Sequence, residues 1–158
     1  MNSTTTENAG ATAGADVAAQ TAREGPVIIV DDDPYDALQS EGVIDELQPK
    51  FPVQILTSGE DLVAYLQGEG LYQDRSRYPY PALVLLDLNM PKMDGFEVLQ
   101  WLKGHPEHAA IPIVVLSGRF DMPGQVTRAY QLGAHSFLPK PILLQDIQSI
   151  LSHLKISI

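Results

Sequence analysis

From Gly25 onward, two kinds of apolar segment alternate along the chain. Short runs at residues 27–30, 53–56, 83–86, 113–116 and 136–138 are dominated by apolar side chains. The first, third and fourth are almost continuously so, and rich in Val, Ile or Leu. A parallel strand covered on both faces reads this way, because both of its side-chain rows leave water. Between the runs, apolar residues recur at helical spacing. They are Leu38, Val43, Ile44 and Leu47; Leu62, Val63 and Leu66; Phe96, Leu99 and Leu102; Val126, Ala129, Tyr130 and Leu132; and Leu143, Ile147, Ile150, Leu151 and Leu154. Five strands, each followed by a helix, predict an α/β domain with a parallel sheet between two helical layers.

Punctuation residues agree with this division. Pro34 stands near the first turn of the first helix, where a missing N–H costs little. Ser58 is placed to cap the second helix, Asp94-Gly95 opens the third and Gly133 closes the fourth. Residues 68–81 form a longer polar and aromatic loop before the third strand, and Tyr72, Tyr78 and Tyr80 are expected to pack within it.

Residues 1–24 are different. They are mostly Ala, Thr, Gly, Asn and Ser without periodicity, and bury too little apolar surface to offset the entropy of ordering. They are expected to be a disordered leader, with a frayed helix over residues 11–23 as the alternative. The domain itself is expected over 25–158.

Charge narrows the function. Twenty acidic residues against ten basic ones give a net charge of −10, which argues against a nucleic-acid-binding surface and suits a protein that holds a divalent cation. The chain has no cysteine, so disulfides, thiolate catalysis and thiolate zinc sites are excluded. No apolar run approaches the roughly 18–20 residues that span a bilayer. The N-terminus lacks the basic and apolar regions of a signal peptide. A cytoplasmic protein is expected.

In an open α/β sheet, ligands bind beyond the carboxyl ends of the strands. Strand one ends in Asp31-Asp32-Asp33, strand three in Asp87, strand four in Ser117-Gly118 and strand five in Lys140-Pro141. Four strand ends thus deliver acids, a hydroxyl and an amine to one edge. Clustered carboxylates repel one another, and a hard cation such as Mg²⁺ relieves the conflict. A carboxylate beside such a cation and a lysine can attack phosphorus, because both neutralise the phosphoryl oxygens. Taken alone, the three aspartates would read as a solvated turn, and Lys140 as a surface lysine.

The segments Ile28-Ile29-Val30-Asp31-Asp32-Asp33-Pro34, Leu85-Leu86-Asp87-Leu88-Asn89-Met90-Pro91-Lys92-Met93-Asp94-Gly95, Val115-Leu116-Ser117-Gly118 and Phe137-Leu138-Pro139-Lys140-Pro141 together resemble the response-regulator receiver family, over about residues 26–154. The resemblance implies a flavodoxin-like (βα)5 fold with strand order 2-1-3-4-5. It implies Asp87 as phosphoacceptor, and Mg²⁺ held by Asp31, Asp32, Asp87 and the backbone carbonyl of Asn89. Ser117 would hydrogen-bond the phosphoryl group and Lys140 would pair with it. Phe137 would be an aromatic switch that turns inward. Gly118 leaves room for the phosphodonor, and the Lys140-Pro141 peptide is usually cis in this family. Asn89 and Arg119 fall at positions that tune dephosphorylation.

The long loop before strand three and the Asp87–Lys92 motif are similar to the stand-alone regulators paired with phytochromes. The implied partners are a sensor histidine kinase, a phytochrome among the candidates, and a downstream protein. A homodimer through helix 4, strand 5 and helix 5 is also implied, supported by surplus apolar residues Ile142, Leu144, Ile156 and Ile158. The expected activity is a phosphoacceptor switch rather than an enzyme. An aspartyl-nucleophile phosphatase would need an acid two residues after Asp87, where Asn89 stands. A constitutive scaffold is disfavoured by the complete set of Asp31, Asp32, Asp87, Ser117 and Lys140. His105 and His108, without a third ligand, are read as surface residues.

Overall fold

The computed structural model describes residues 23–118 and 123–158. A five-stranded parallel sheet runs through its centre: β1 (Val27–Val30), β2 (Gln54–Leu56), β3 (Leu83–Asp87), β4 (Ile113–Ser117) and β5 (Ser136–Pro139), in spatial order β2-β1-β3-β4-β5. The helices α1 (Pro34–Asp45), α2 (Gly59–Gln67), α3 (Gly95–Lys103), α4 (Gln125–Gln131) and α5 (Leu144–His153) each follow one strand. Strand order and layering are as the sequence and its resemblance imply.

Alternating residues explain why both faces are covered. Ile28, Val30, Val84, Leu86 and Val115 pack against Leu62 and Leu66 of α2 and Phe96, Leu99 and Leu102 of α3. Val27, Ile29, Leu83, Leu85, Val114 and Leu116 pack against Ala37 and Ile44 of α1 and Ile147 and Ile150 of α5. Each fully buried Val, Leu or Ile contributes about 1.5–3 kcal/mol.

Helix starts follow the expected chemistry. Asp33 caps α1, accepting from the Tyr35 and Asp36 amides, with Pro34 in the first turn. Ser58 accepts from Asp61 N at 3.1 Å, and Asp94 from Glu97 N at 2.9 Å. Gly133 ends α4 at φ +106.

Three expectations need correction. The buried line of α1 is Ala37, Ser40 and Ile44, while Leu38 is 60% exposed. The cap at Asp33 and Pro34 fixes the phase of the helix and turns Leu38 outward. Ile142 and Ile156 are buried in the core, and Leu144 and Ile158 pack partly against it, so these surplus residues are not an open apolar surface. Finally, the structured chain begins before residue 25: Arg23–Glu24 form a short parallel pairing with Ile156–Ser157. The rest of the expected leader, residues 1–22, lies outside the described residues.

Residues 68–81 are built around aromatic rings. Tyr65, Tyr72 and Tyr78 lie within 6.0 Å of one another, centroid to centroid. Arg75 threads among them and donates to the Tyr65 and Leu66 carbonyls, both at 2.8 Å, satisfying the end of α2. Burial pushes the Tyr65 phenol up to about 12.

Candidate functional site

The site lies where β1, β3, β4 and β5 end. Sheet pairing sets it out: Val30 lies opposite Leu86, Asp87 opposite Leu116, and Ser117 opposite Pro139. The backbone amide of Asp31 continues the sheet by donating to Leu56 O at 3.0 Å, and the whole residue is buried. The next residues divide the work. Asp31 accepts from the Asp33 amide at 3.0 Å, Asp33 caps α1, and Asp32 stays exposed.

Lys140 leaves β5 with its amide bonded to Ser117 O at 2.8 Å and a cis peptide to Pro141. Its ammonium reaches Asp31 at 2.8 Å, Asp36 at 3.1 Å and Asp87 at 3.4 Å. Carboxylate oxygens of Asp31, Asp32 and Asp87 all lie within 4.8 Å of one another. Three acids in that space face one nearby ammonium, a charge imbalance that a divalent cation fits, and oxygen donors suit Mg²⁺. Asn89 stands two residues on; its amide donates to Asp87 at 3.2 Å, and Gln125 reaches its side-chain oxygen at 3.5 Å.

Burial pushes the Asp87 carboxyl up to about 7; Lys140 works against this, and Asp31 adds to it. Burial opposes the charge on Lys140, but its hydrogen bond to Asp31 and the charges of Asp87 and Asp31 outweigh it. The ammonium is held above its ordinary value.

The loop after Asp87 is constrained on both sides. Lys92 sits in the left-handed region at φ +62, and the Met93 amide donates to Glu60 at 3.3 Å. A Cβ on Gly95 would lie 2.7 Å from the Asp87 carbonyl oxygen and 2.8 Å from Leu88 Cα, so only glycine lets α3 start this close to β3.

Ser117 is buried at the end of β4, beside the Asp87 strand, and Gly118 follows it. Phe137 is 39% exposed, with Tyr130 edge-on to its ring at 6.2 Å. The structure thus brings Asp31, Asp32, Asp87, Ser117 and Lys140 to one edge of the sheet and leaves Phe137 on the surface of β5. Arg119 lies outside the described residues.

Two features escaped the sequence. Asp36 is the third partner of Lys140, yet an acid in a first helical turn already has a reason to be there in the helix dipole. His108 is buried rather than on the surface. It stacks between Trp101 and Tyr80, bonds the Tyr80 hydroxyl, and has its pKa lowered chiefly by burial. His105 is half-buried and stacks on Trp101 at 4.0 Å. The hydrophobic pattern does not mark this, because Tyr80 lies 28 residues from His108 along the chain. Among the described residues, no helix is long and apolar enough to cross a membrane.

Comparison with known proteins converges on one family. The family model described as "Response regulator receiver domain" matches residues 27–152. Response regulator Rcp1 of Synechocystis sp. is 34% identical over 121 residues, covering 77% of this chain and 80% of Rcp1. The crystal structure of the Mn²⁺-bound form of Rcp1 superposes with a TM-score of 0.64 at 32% identity, over 83% of this chain and 92% of that one. The phosphorylated cyanobacterial phytochrome response regulator RcpA gives 0.65 at 31% identity, over 84% and 89%. The bacteriophytochrome response regulator AtBRR gives 0.71 at 32% identity, over 85% and 94%.

Proposed function

Because the chain belongs to the response regulator receiver domain family and resembles the regulators of phytochromes, we propose that it takes a phosphoryl group from a histidine kinase on Asp87. Receiver domains act as phosphoacceptor switches in two-component signalling. The observation that carries this reading is the meeting of Asp31, Asp32, Asp87 and Lys140 at one sheet edge.

An Asp87 carboxylate oxygen attacks phosphorus as the bond from phosphorus to the donor breaks. The new bond is an acyl phosphate. Lys140 neutralises phosphoryl oxygens as their charge develops. The Ser117 hydroxyl donates to one of them, and Gly118 leaves the approach open. Asp31, Asp32, Asp87 and the Asn89 carbonyl are the residues that would hold Mg²⁺, which supplies further charge neutralisation to the transferring group. Drawing Ser117 toward the phosphate opens space beneath β5, and Phe137 turns inward to fill it. The changed α4-β5-α5 surface then carries the signal to a downstream protein.

Two copies pairing through that surface form the second level of the proposal. Tyr130 and Phe137, 44% and 39% exposed, supply apolar contact there. Sedimentation at tens of micromolar with a phosphoryl mimic tests it, and a monomer under those conditions removes it.

The deciding experiment is incubation with acetyl phosphate and Mg²⁺. Acid-stable, base-labile label is expected on the wild type and absent from Asp87→Asn, and chelation abolishes it. Equal labelling of Asp87→Asn overturns the acceptor assignment.

A further inference from the structure

We infer that Asp36, on the first turn of α1, is a positioning residue for Lys140, holding its ammonium at the pocket rim for the incoming phosphoryl group. The inference rests on the phosphoacceptor reading of Asp87 and adds to it a residue outside the strand ends.

The geometry is specific. A lysine ammonium has three N–H donors. Here Lys140 has three carboxylate partners on three elements: Asp31 after β1 at 2.8 Å, Asp36 in α1 at 3.1 Å and Asp87 at the end of β3 at 3.4 Å. Two of them, Asp31 and Asp87, also belong to the carboxylate cluster fit for a cation, whereas Asp36 does not. When a cation and a phosphoryl group occupy the cluster, the demands on Asp31 and Asp87 change. The contact with Asp36 does not depend on either.

That makes Asp36 the constant anchor. Lys140 ends in a flexible four-carbon stem whose rotamers must be ordered before its ammonium can act. An anchor fixes the ammonium before the reaction, so less ordering remains for the transition state. The local fold supports the placement. Asp33 accepts from the Asp36 amide at 3.3 Å, so the cap of α1 also sets where the Asp36 carboxylate lies. Its side chain is 40% exposed, on the open side of the pocket, while that of Asp31 is fully buried beneath.

The test is a double-mutant cycle with Mg²⁺ and acetyl phosphate. Asp36→Ala is expected to slow labelling of Asp87 by about threefold to tenfold. Asp36→Glu restores most of the rate. In a Lys140→Ala background, Asp36→Ala has no further effect, because its route runs through the ammonium. A second readout uses the metal-free chain: the ¹⁵N-labelled Lys140 ammonium signal, protected from exchange by its three acceptors, broadens or shifts in Asp36→Ala. An unchanged labelling rate in Asp36→Ala, an equal slowing in the Lys140→Ala background, or an unchanged ammonium signal overturns the inference. Failure of the wild type to label at all sinks the phosphoacceptor reading instead, and the ammonium signal still reports on the Asp36 contact.

Discussion

Lys140 and Asp31 form an ion pair at 2.8 Å with side chains only 14% and 0% exposed, joining the end of β5 to the end of β1 across the sheet. A buried carboxylate stripped of its cation is costly. Lys140→Ala is therefore expected to destabilise the metal-free chain by about 3 kcal/mol. Mg²⁺ replaces part of the lost positive charge, so the deficit shrinks in its presence. Urea unfolding with a chelator and with Mg²⁺ measures both, and an equal loss in the two media contradicts the assignment.

The Asp87 carboxyl, pushed up to about 7 mainly by burial, gives the pocket a pH dependence. A metal must displace the proton held below that value. Mg²⁺ affinity is expected to rise about tenfold per pH unit between roughly pH 5 and 7, then level off. Stability of the metal-free chain carries the opposite sign. Between the ordinary value of 3.8 and about 7, the folded chain keeps a proton the unfolded chain has lost. The contribution of this group therefore becomes destabilising as pH rises through that window. The stability of Asp87→Asn relative to wild type should grow from pH 4 to 7 in chelator, and a flat difference refutes the shift.

Phe137 provides a reporter for the switch. A Phe137→Trp chain, with the single native tryptophan removed by Trp101→Phe, is expected to emit at longer wavelength when free and to shift to shorter wavelength with Mg²⁺ and beryllium fluoride. An emission maximum unmoved by the mimic means the ring does not turn inward.

Gly95→Ala tests how tightly α3 is docked on the acceptor strand. Its Cβ meets backbone atoms of Asp87 and Leu88, which cannot give way as a flexible side chain would. A loss of about 1–3 kcal/mol is expected, with weaker Mg²⁺ binding as Asp87 shifts. Thermal unfolding and a metal titration read the two effects.

Arg75 makes a contrasting case far from the chemistry. Lysine cannot reproduce its fork to the Tyr65 and Leu66 carbonyls. Arg75→Lys should cost about 1–2 kcal/mol in urea unfolding, with acetyl phosphate labelling within about twofold of wild type. A large loss of labelling would tie the tyrosine loop to the pocket.

The sheet was legible because its three central strands are buried on both faces, and read as continuous apolar runs such as Val27–Val30. The grouping of Asp31, Asp87, Ser117 and Lys140 at one sheet edge was legible because four of the five apolar runs end in a polar or charged residue. Side-chain burial on helices was harder to read. Leu38 and Ala37 are neighbours, and which of them faces the sheet depends on the phase set by Asp33 and Pro34. Ile142 looks surplus in a linear pattern, yet it enters the core immediately after the Lys140-Pro141 turn. The Tyr65, Tyr72 and Tyr78 cluster and the Trp101–His108 stack join segments whose separation along the chain carries no periodic signal. Asp36 was hidden because two physical reasons, the helix dipole and the lysine, ask for the same residue type.

Arg23–Glu24 and Ile156–Ser157 lie side by side, next to the start of β1, whereas Asp87 and Lys140 stand at the far end of the strands. A label attached at Glu24 or Ser157 sits at the opposite end of the strands from the pocket. Fluorophores or affinity handles can be carried there without crowding the approach of a phosphodonor. A short peptide bridging the two segments would close the domain into a ring, freeing a new opening for engineering elsewhere along the chain.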